Sequence, residues 1–221
     1  MLYVVPTPIG NLKDISQQCL DILAEVEFIL AEDTRTSGKL LKHYQISTPA
    51  RSYHIHNEHK IVDDLVEQAK IKDIALISDA GTPGISDPGF LIIRACIAEG
   101  VEVMTIPGPT AFVPALVSSG LPMDKFYFEG FLPTKKGRQT RLKYLAQLDC
   151  TFILYESPHR IPRCIKELME YCGEQRQASV AREISKLHEE HIRGTLEEIA
   201  QKLDEKSSIK GEIVVCVHGN G

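Results

Sequence analysis

The chain has 221 residues, of which 43% are hydrophobic and 25% charged, with a formal net charge of −5 at pH 7. These shares are typical of a globular protein of one or two domains. No apolar run approaches the ~20 residues of a membrane span, and a strand-like run begins at Leu2, so we expect a cytoplasmic protein without a signal peptide. Six scattered cysteines form no C-x-x-C pair, which predicts reduced core thiols rather than a zinc site.

The first half of the chain alternates short apolar runs with amphipathic segments. In chain order the expected elements are strand Leu2–Pro6, helix Asp14–Val26, strand Phe28–Ala31, helix Ser37–Tyr44, strand Ala50–His54, helix Asn57–Ala69, strand Ile74–Ile77, a helix from about Phe90, strand Val101–Ile106 and a short helix from Thr110. This β-α alternation predicts a mostly parallel sheet that is covered on both faces.

Turn-forming residues then interrupt the pattern at Ser118-Ser119-Gly120-Leu121-Pro122, and we predict two α/β domains, 1–118 and 119–221. The expected elements that follow are strand Phe126–Glu129, helix Arg138–Leu148, strand Thr151–Tyr155, helix Arg160–Tyr171, strand Ala178–Arg182, an extended piece His188–Arg193, helix Leu196–Leu203 and strand Glu212–Val217. Because some of these joints lack a helix, the second sheet is expected to be mixed.

Three loops rich in proline and glycine follow predicted strands: Pro6–Asn11, Ser78–Gly89 and Ile106–Ala111. Open α/β sheets bind ligands where their strands end, so the three loops together predict one crevice for a small ligand. Any one of these loops alone would indicate only an ordinary turn between two elements. None contains a Walker A sequence, and the first strand is not followed by G-x-G-x-x-G.

The charge is distributed unevenly along the chain. From Lys125 to Lys166 there are nine Lys/Arg and three Asp/Glu, a net +6, which leaves −11 for the remainder. A local basic face suits phosphate contacts, although a solvated helix surface would give the same count. Lys135, Lys136 and Arg138, in a loop that opens a helix, are the candidate phosphate-binding cations. Nearby Tyr127, Phe128 and Phe131 either stack bases or pack in the core, and core packing is favoured for at least two of them.

Polar side chains that follow strands are the candidates for chemistry. Asp33 and Arg35 follow the second strand, and the string from His54 to His59 contains His56, Asn57 and Glu58 after the third strand. That string predicts RNA or hydroxyl contacts or plain surface polarity, and only weakly a metal site. In the second half, Glu183 and Lys186 follow a strand. Lys186 is a base only if its surroundings lower its pKa.

Eight ordered motifs together carry a resemblance to a known family. They are Val5–Leu12, Ala31–Arg35, His56–Glu58, Ser78–Gly89, Pro107–Pro109, Phe128–Pro133, Tyr155–Arg160 and Ala181–Glu183. Over essentially its full length the chain resembles the 16S ribosomal RNA cytidine 2′-O-methyltransferases of the tetrapyrrole methylase superfamily. The resemblance implies two α/β domains with S-adenosylmethionine in the cleft between them, a homodimer, and methyl transfer to a ribose hydroxyl in the decoding region of the small subunit.

Many members of this family carry a further small C-terminal domain. This chain ends at Gly221, just after its last predicted strand. We therefore expect that domain to be absent, and RNA contacts that it makes elsewhere are not carried over.

The resemblance implies the cofactor contacts, whereas the candidates for catalysis and substrate binding come mainly from the polar residues after strands and from the basic segment. Cofactor contacts fall on Pro8, Ala80, Gly81, Thr82, Ile85, Gly108, Thr110, Ala111, Glu156 and Ala181. Candidates for catalysis are Asp33, Glu58, Glu183 and Lys186, and candidates for substrate contacts are Arg35, His56, Asn57, Lys135, Lys136, Arg138 and Arg160. No metal is assigned, and the general base stays open. The alternatives are a methylase for small tetrapyrroles on the same scaffold and a non-catalytic ribosome-binding module.

Overall fold

A computed structural model describes all residues from 1 to 221. The chain divides into two compact units, Met1–Thr110 and Ala111–Gly221. The predicted boundary followed residue 118, but the helix Phe112–Ser119 packs on strands of the second sheet and therefore belongs to the second unit. No helix is long and apolar enough to cross a membrane.

The first unit is a five-stranded parallel sheet with helices on both faces. Its elements are β1 Leu2–Val4, α1 Gln17–Glu25, β2 Phe28–Ala31, α2 Thr34–His43, β3 Ala50–Ser52, α3 Glu58–Ile71, β4 Ile74–Ile77, α4 Phe90–Ala98 and β5 Val103–Thr105. The strand order is β3-β2-β4-β1-β5 and every pairing is parallel. All five strands therefore end at the same edge of the sheet.

Alternate side chains of the first sheet enter two separate cores. On one face, Leu30 and Leu76 pack with residues of α3 and α4, including Leu65. On the other face, Ile29 packs with residues of α1 and α2, including Leu23. Helices on both faces explain why these strands are nearly continuous apolar runs, as parallel strands buried on both sides are.

The second unit contains a mixed sheet. Its elements are α5 Phe112–Ser119, β6 Phe126–Phe131, α6 Arg138–Ala146, β7 Thr151–Glu156, α7 Ile161–Cys172, β8 Gln177–Arg182, β9 Glu190–Thr195, α8 Leu196–Asp204 and β10 Ile213–Val217. The order is β6-β7-β10-β8-β9, in which only the β6–β7 pair is parallel. The predicted fold class, a parallel and a mixed α/β sheet, is confirmed.

Several helix boundaries differ from the expected ones because polar side chains cap the helices. Helix α1 begins at Gln17, since the hydroxyl of Ser16 accepts a hydrogen bond from the Cys19 amide. Helix α2 begins at Thr34, before the predicted Ser37, because Asp33 caps it. A capping side chain accepts hydrogen bonds from amides that have no partner inside the helix. The spacing of apolar residues carries no information about such a cap, so it does not predict the first residue of the helix.

Candidate active site

The three Pro/Gly loops meet at the carboxyl edge of the first sheet. Thr7, after β1, and Gly81, after β4, form an antiparallel bridge: the Thr7 amide donates to the Gly81 carbonyl (2.9 Å) and the Gly81 amide to the Thr7 carbonyl (3.0 Å). The Thr7 hydroxyl donates to the carbonyl of Ser78 (3.1 Å). Both peptide groups of Gly81 are thus used to hold the β1 and β4 loops together.

The β5 loop joins the same assembly. The Thr82 hydroxyl donates to the Pro109 carbonyl (3.0 Å) and lies 2.6 Å from the Thr110 hydroxyl. Gly108 packs so closely on the β1 loop that a Cβ added there would lie 2.7 Å from Cβ of Pro6. The three loops therefore contact one another in the first unit, as predicted, while their use as a crevice for a small ligand stays a prediction.

Glycine is required at Gly81 for its backbone conformation. Its φ of +86° lies in the left-handed region, which L side chains rarely adopt. An added Cβ there would make only ordinary contacts, the nearest 3.5 Å from Ile9. The strain of a substitution would therefore come from the backbone at Gly81, whereas at Gly108 it would come from a clash.

The loop assembly offers groups that suit the cofactor implied by the motifs. The amides of Ala80 and Thr82 donate no hydrogen bond within the protein, and both residues are half-buried, so these amides are candidate donors to a ligand acceptor. Half-buried Ile85 supplies an apolar wall. Pro8 is buried and shapes the β1 loop. A zwitterionic nucleoside with a sulfonium needs both kinds of contact, so the residues present fit it.

The remaining predicted cofactor residues belong to the second unit. Ala111 precedes α5, Ala181 is buried in β8, and Glu156 is buried at the end of β7. Glu156 Oε1 accepts hydrogen bonds from the Ser157 amide (2.8 Å) and from Arg160 Nε (2.7 Å). Their part in cofactor binding stays a prediction.

Asp33 and Arg35 form a tight pair at the start of α2. Asp33 Oδ1 accepts from the Arg35 amide (2.9 Å) and Nε (3.0 Å), and Oδ2 from Arg35 Nη2 (2.7 Å). These hydrogen bonds lower the pKa of Asp33 to about 2. A carboxylate with so low a pKa is a weak proton acceptor at neutral pH, so the geometry favours a capping and orienting role for Asp33.

Two further carboxyl groups beside Asp33 were not among the predicted catalytic residues. Burial raises the pKa of Glu32, and so does the charge of Asp79. Partial burial also raises the pKa of Asp79, whose Oδ1 accepts the amide of Asp33 (3.1 Å). Their positions in the sequence could have indicated them: Glu32 directly follows β2, Asp79 lies two residues after the end of β4, and the two strands are neighbours in the sheet. A raised pKa makes these carboxylates the better proton acceptors of the edge.

Most polar side chains of the segment from His54 to His59, which follows β3, form hydrogen bonds within that segment or with residues next to it. The Asn57 side chain accepts from the His54 amide (2.8 Å) and donates to the Ser52 carbonyl (3.0 Å). Glu58 accepts from the buried Tyr53 hydroxyl (3.1 Å). Asn57 thus has a structural role here, while the exposed ring of His56 is available to a substrate.

In the second unit Lys186 lies between two carboxylates. Its Nζ is 2.9 Å from Glu183 Oε1 and 3.1 Å from Glu212 Oε2. Burial lowers the pKa of Lys186, but these two hydrogen bonds outweigh it, and the net pKa is raised. The hydrogen bond from Lys186 lowers the pKa of Glu183. The condition for Lys186 as a base, a lowered pKa, is not met by this arrangement.

Arg138 is not a surface cation, contrary to what its place in a basic loop suggested. It is only 3% exposed, its Nε donates to Glu167 (2.7 Å) and its Nη1 to the Pro133 carbonyl (3.1 Å). Arg138 Nη2 lies 3.7 Å from Glu156 Oε2. The side chain is committed to a buried ion-pair network, so it cannot reach a phosphate in this conformation.

Lys135 and Lys136, by contrast, are exposed and make no ion pair. They line a polar surface cavity of about 390 Å³ that Arg163 of α7 also borders. Of the nine basic residues between Lys125 and Lys166, the five that pair with carboxylates are Arg138, Arg141, Arg160, Arg163 and Lys166. The basic surface is therefore smaller than the sequence count suggested, and it consists of lysines.

Comparison with known proteins identifies the family. Residues 1–200 match the family model described as Tetrapyrrole (Corrin/Porphyrin) Methylases. Two relatives, both called ribosomal RNA small subunit methyltransferase I, come from Synechocystis sp. (48% identity; 99% of this chain, 79% of the relative) and Vibrio cholerae (47%; 99% and 77%). The uroporphyrin-III C-methyl transferase of Thermus thermophilus, solved with S-adenyl homocysteine, shares the fold at 18% identity (TM-score 0.65; 99% of this chain, 97% of that chain). The chain therefore belongs to the tetrapyrrole methylase family and, within it, to the ribosomal RNA small subunit methyltransferase I proteins.

Proposed function

We propose that this protein uses S-adenosylmethionine to methylate the 2′-hydroxyl of a cytidine ribose in the decoding region of 16S ribosomal RNA. The observation that carries the proposal is the hydrogen-bonded assembly of three Pro/Gly loops at one sheet edge, in a chain of this methylase family. The names of the two relatives support ribosomal RNA as the substrate. The cytidine and the 2′ position rest on the resemblance of the motifs.

The residues that would hold the cofactor are those of the loop assembly. The free amides of Ala80 and Thr82 would donate to its polar groups, and Ile85 would contact its apolar part. When bound, S-adenosylmethionine supplies an electrophilic methyl group on a sulfonium. The hydrogen bonds that tie the Thr82 hydroxyl to the β5 loop keep these contacts in place, so little ordering remains to be done on binding.

Transfer to a hydroxyl also requires that the hydroxyl lose its proton. The new bond joins the ribose oxygen to the methyl carbon, the bond from carbon to sulfur breaks, and the proton passes to a protein carboxylate or to water. Asp79 is exposed and its pKa is raised, which suits a proton acceptor better than Asp33. We assign acceptance to Asp79, and to Asp33 the orientation of the substrate hydroxyl.

The expected setting follows from the same resemblance. We propose a homodimer that acts in the cytoplasm on the 16S RNA of the small ribosomal subunit. The oligomeric state is measured by analytical ultracentrifugation, in which a monomer at micromolar concentration would contradict the dimer.

The test of function is a methyl-transfer assay with labelled S-adenosylmethionine and three acceptors: small ribosomal subunits that lack the modification, free 16S RNA, and a tetrapyrrole precursor. We expect label in ribosomal RNA, at a linkage that resists alkaline hydrolysis because its 2′-hydroxyl is blocked. Label in the tetrapyrrole alone would indicate the small-molecule methylase. Failure to label any acceptor while the protein binds small subunits would indicate a binding module.

The basic surface allows a second test. Replacing Lys135 and Lys136 by Glu should weaken binding to small subunits and reduce the slope of log affinity against log salt by roughly one unit per lost phosphate contact. The matched control is Lys143→Glu, since Lys143 is also exposed and lies on α6 but does not line the cavity. Equal slopes in both variants would mean that the cavity does not bind phosphate.

A further inference from the structure

Strand β6 places three phenylalanines on one face of the second sheet. Phe128 is paired with Ile153 and Phe131 with Tyr155, and these two β7 residues share a face because they are two positions apart. A β-bulge after Phe128 inserts one extra residue between the two phenylalanines. Without the bulge, Phe131 would point to the opposite face from Phe126 and Phe128.

These rings belong to a continuous group of five, which we call the aromatic row: Phe112, Phe126, Phe128, Phe131 and Tyr155. Phe112 of α5 stacks on Phe128 with ring centroids 4.7 Å apart and lies 6.0 Å from Phe126. Tyr155 joins Phe128 (5.1 Å) to Phe131 (5.6 Å). The spacings are those of interacting aromatic pairs, so the row is an ordered surface.

The rings at the two ends of the aromatic row are exposed to solvent. Phe126 is 45% exposed and Phe131 is 51% exposed, and β6 is the edge strand of its sheet. The opposite face of the sheet is covered by α6, α7 and α8 around Phe152 and Leu154. Clustered exposed aromatic rings are uncommon on a protein surface without a partner.

Positive charge adjoins the row in sequence at Lys125, while Lys135 and Lys136 follow it in the chain and line the cavity bordered by α6 and α7. Lys125 precedes Phe126 directly, and Lys135 and Lys136 follow a few positions after Phe131. All three lysines are exposed and none is in an ion pair. Unpaired lysines favour a polyanion as the occupant, since a second copy of the same basic segment would be repelled.

We propose that the aromatic row is a platform on which unpaired bases of the RNA substrate stack. The proposal rests on the proposed function and deepens it, because it states how the enzyme holds single-stranded bases of the same RNA. Flat rings accept any base by stacking, with a gain of about 5- to 150-fold in affinity per base. Sequence-specific RNA recognition commonly uses such splayed bases.

A fluorescent reporter tests stacking directly, because the chain contains no tryptophan. Phe131→Trp introduces one in the row. Tyr144→Trp is the matched control, since Tyr144 is 43% exposed on α6 and contacts Tyr127 rather than the row. The probes are an oligocytidylate of about 12 nucleotides and an abasic oligomer of equal length and charge, a length within known single-strand site sizes.

Oligocytidylate should quench the emission of Phe131→Trp, while the abasic oligomer leaves it unchanged and Tyr144→Trp responds to neither. Equal responses to both oligomers would overturn the proposal, because only phosphate would then be sensed. It is also overturned if labelled oligocytidylate binds without quenching. Emission that changes with protein concentration in the absence of RNA would identify an interface between copies instead.

Activity separates this proposal from the proposed function. The double variant Phe126→Ala, Phe131→Ala should raise KM for small subunits by at least tenfold with kcat and binding of S-adenosylhomocysteine unchanged, whereas Tyr144→Ala should not. An unchanged KM would overturn the platform and leave the methyltransferase standing. An inactive wild-type protein would refute the proposed function, and the fluorescence assay would still decide stacking.

Discussion

Replacing Arg138 by Met tests whether this residue is structural or binds RNA. The change removes a cation that is 3% exposed and leaves buried Glu156 and half-buried Glu167 without its charge. Removing one partner of a buried ion pair typically costs about 3–5 kcal/mol. Domains are stable by about 5–15 kcal/mol, so the expected loss is a large fraction of the total.

Arg163→Met is the matched control because Arg163 pairs with the same carboxylate. Its Nη2 lies 2.9 Å from Glu167 Oε1, but its side chain is 66% exposed. An exposed pair of this kind contributes about 0.2–1 kcal/mol. The two arginines share a partner and differ chiefly in burial, so the difference between the variants measures the effect of burial.

Urea unfolding followed by circular dichroism measures both losses. We expect Arg138→Met to lower the free energy of unfolding by several times the loss in Arg163→Met, and to leave the salt dependence of RNA binding unchanged while the protein is folded. Equal losses in the two variants would refute the role of burial. A stable Arg138→Met protein with a flatter salt dependence would show that Arg138 binds phosphate after all.

Three more perturbations address the loop edge. Gly108→Ala places a Cβ against the ring of Pro6, an overpacking that costs about 1–3 kcal/mol. Calorimetry should therefore show binding of S-adenosylhomocysteine about 5- to 150-fold weaker. The control is Gly100→Ala, where φ is +72° and no atom lies within 4 Å of the added Cβ, and it should leave this affinity unchanged. Arg35→Ala should raise the pKa of Asp33 from about 2 toward its ordinary 3.8 and thereby remove the stability that the lowered pKa contributes above about pH 4; a carboxyl-carbon NMR titration measures the pKa, and a value still near 2 contradicts the pairing. Asp79→Asn should lower the single-turnover rate by about 10²-fold or more, and the variant should lose the decrease in rate that protonation of the Asp79 carboxylate causes at low pH. A variant with the pH profile of the wild type would exclude Asp79 as the proton acceptor.

Much of the fold and part of the site follow from the sequence. The alternation of apolar strands with amphipathic helices predicts a parallel first sheet and a mixed second one, because these patterns reflect local periodicity and burial. The carboxyl ends of parallel strands share an edge, so the sequence predicts that the loops containing Pro6, Gly81 and Pro109 meet. Turn chemistry at glycine and proline is local in the same way.

The tertiary structure decided which charges are available for chemistry. Arg138 is buried with Glu167, 29 positions away in the chain, and Lys186 is held between Glu183 and Glu212, the second of which is 26 positions away. The β6 bulge that aligns Phe128 with Phe131 depends on the register with β7. Composition gives a number of charges, but their pairing, burial and pKa depend on strand order and register, which bring distant residues into contact only when the sheets form.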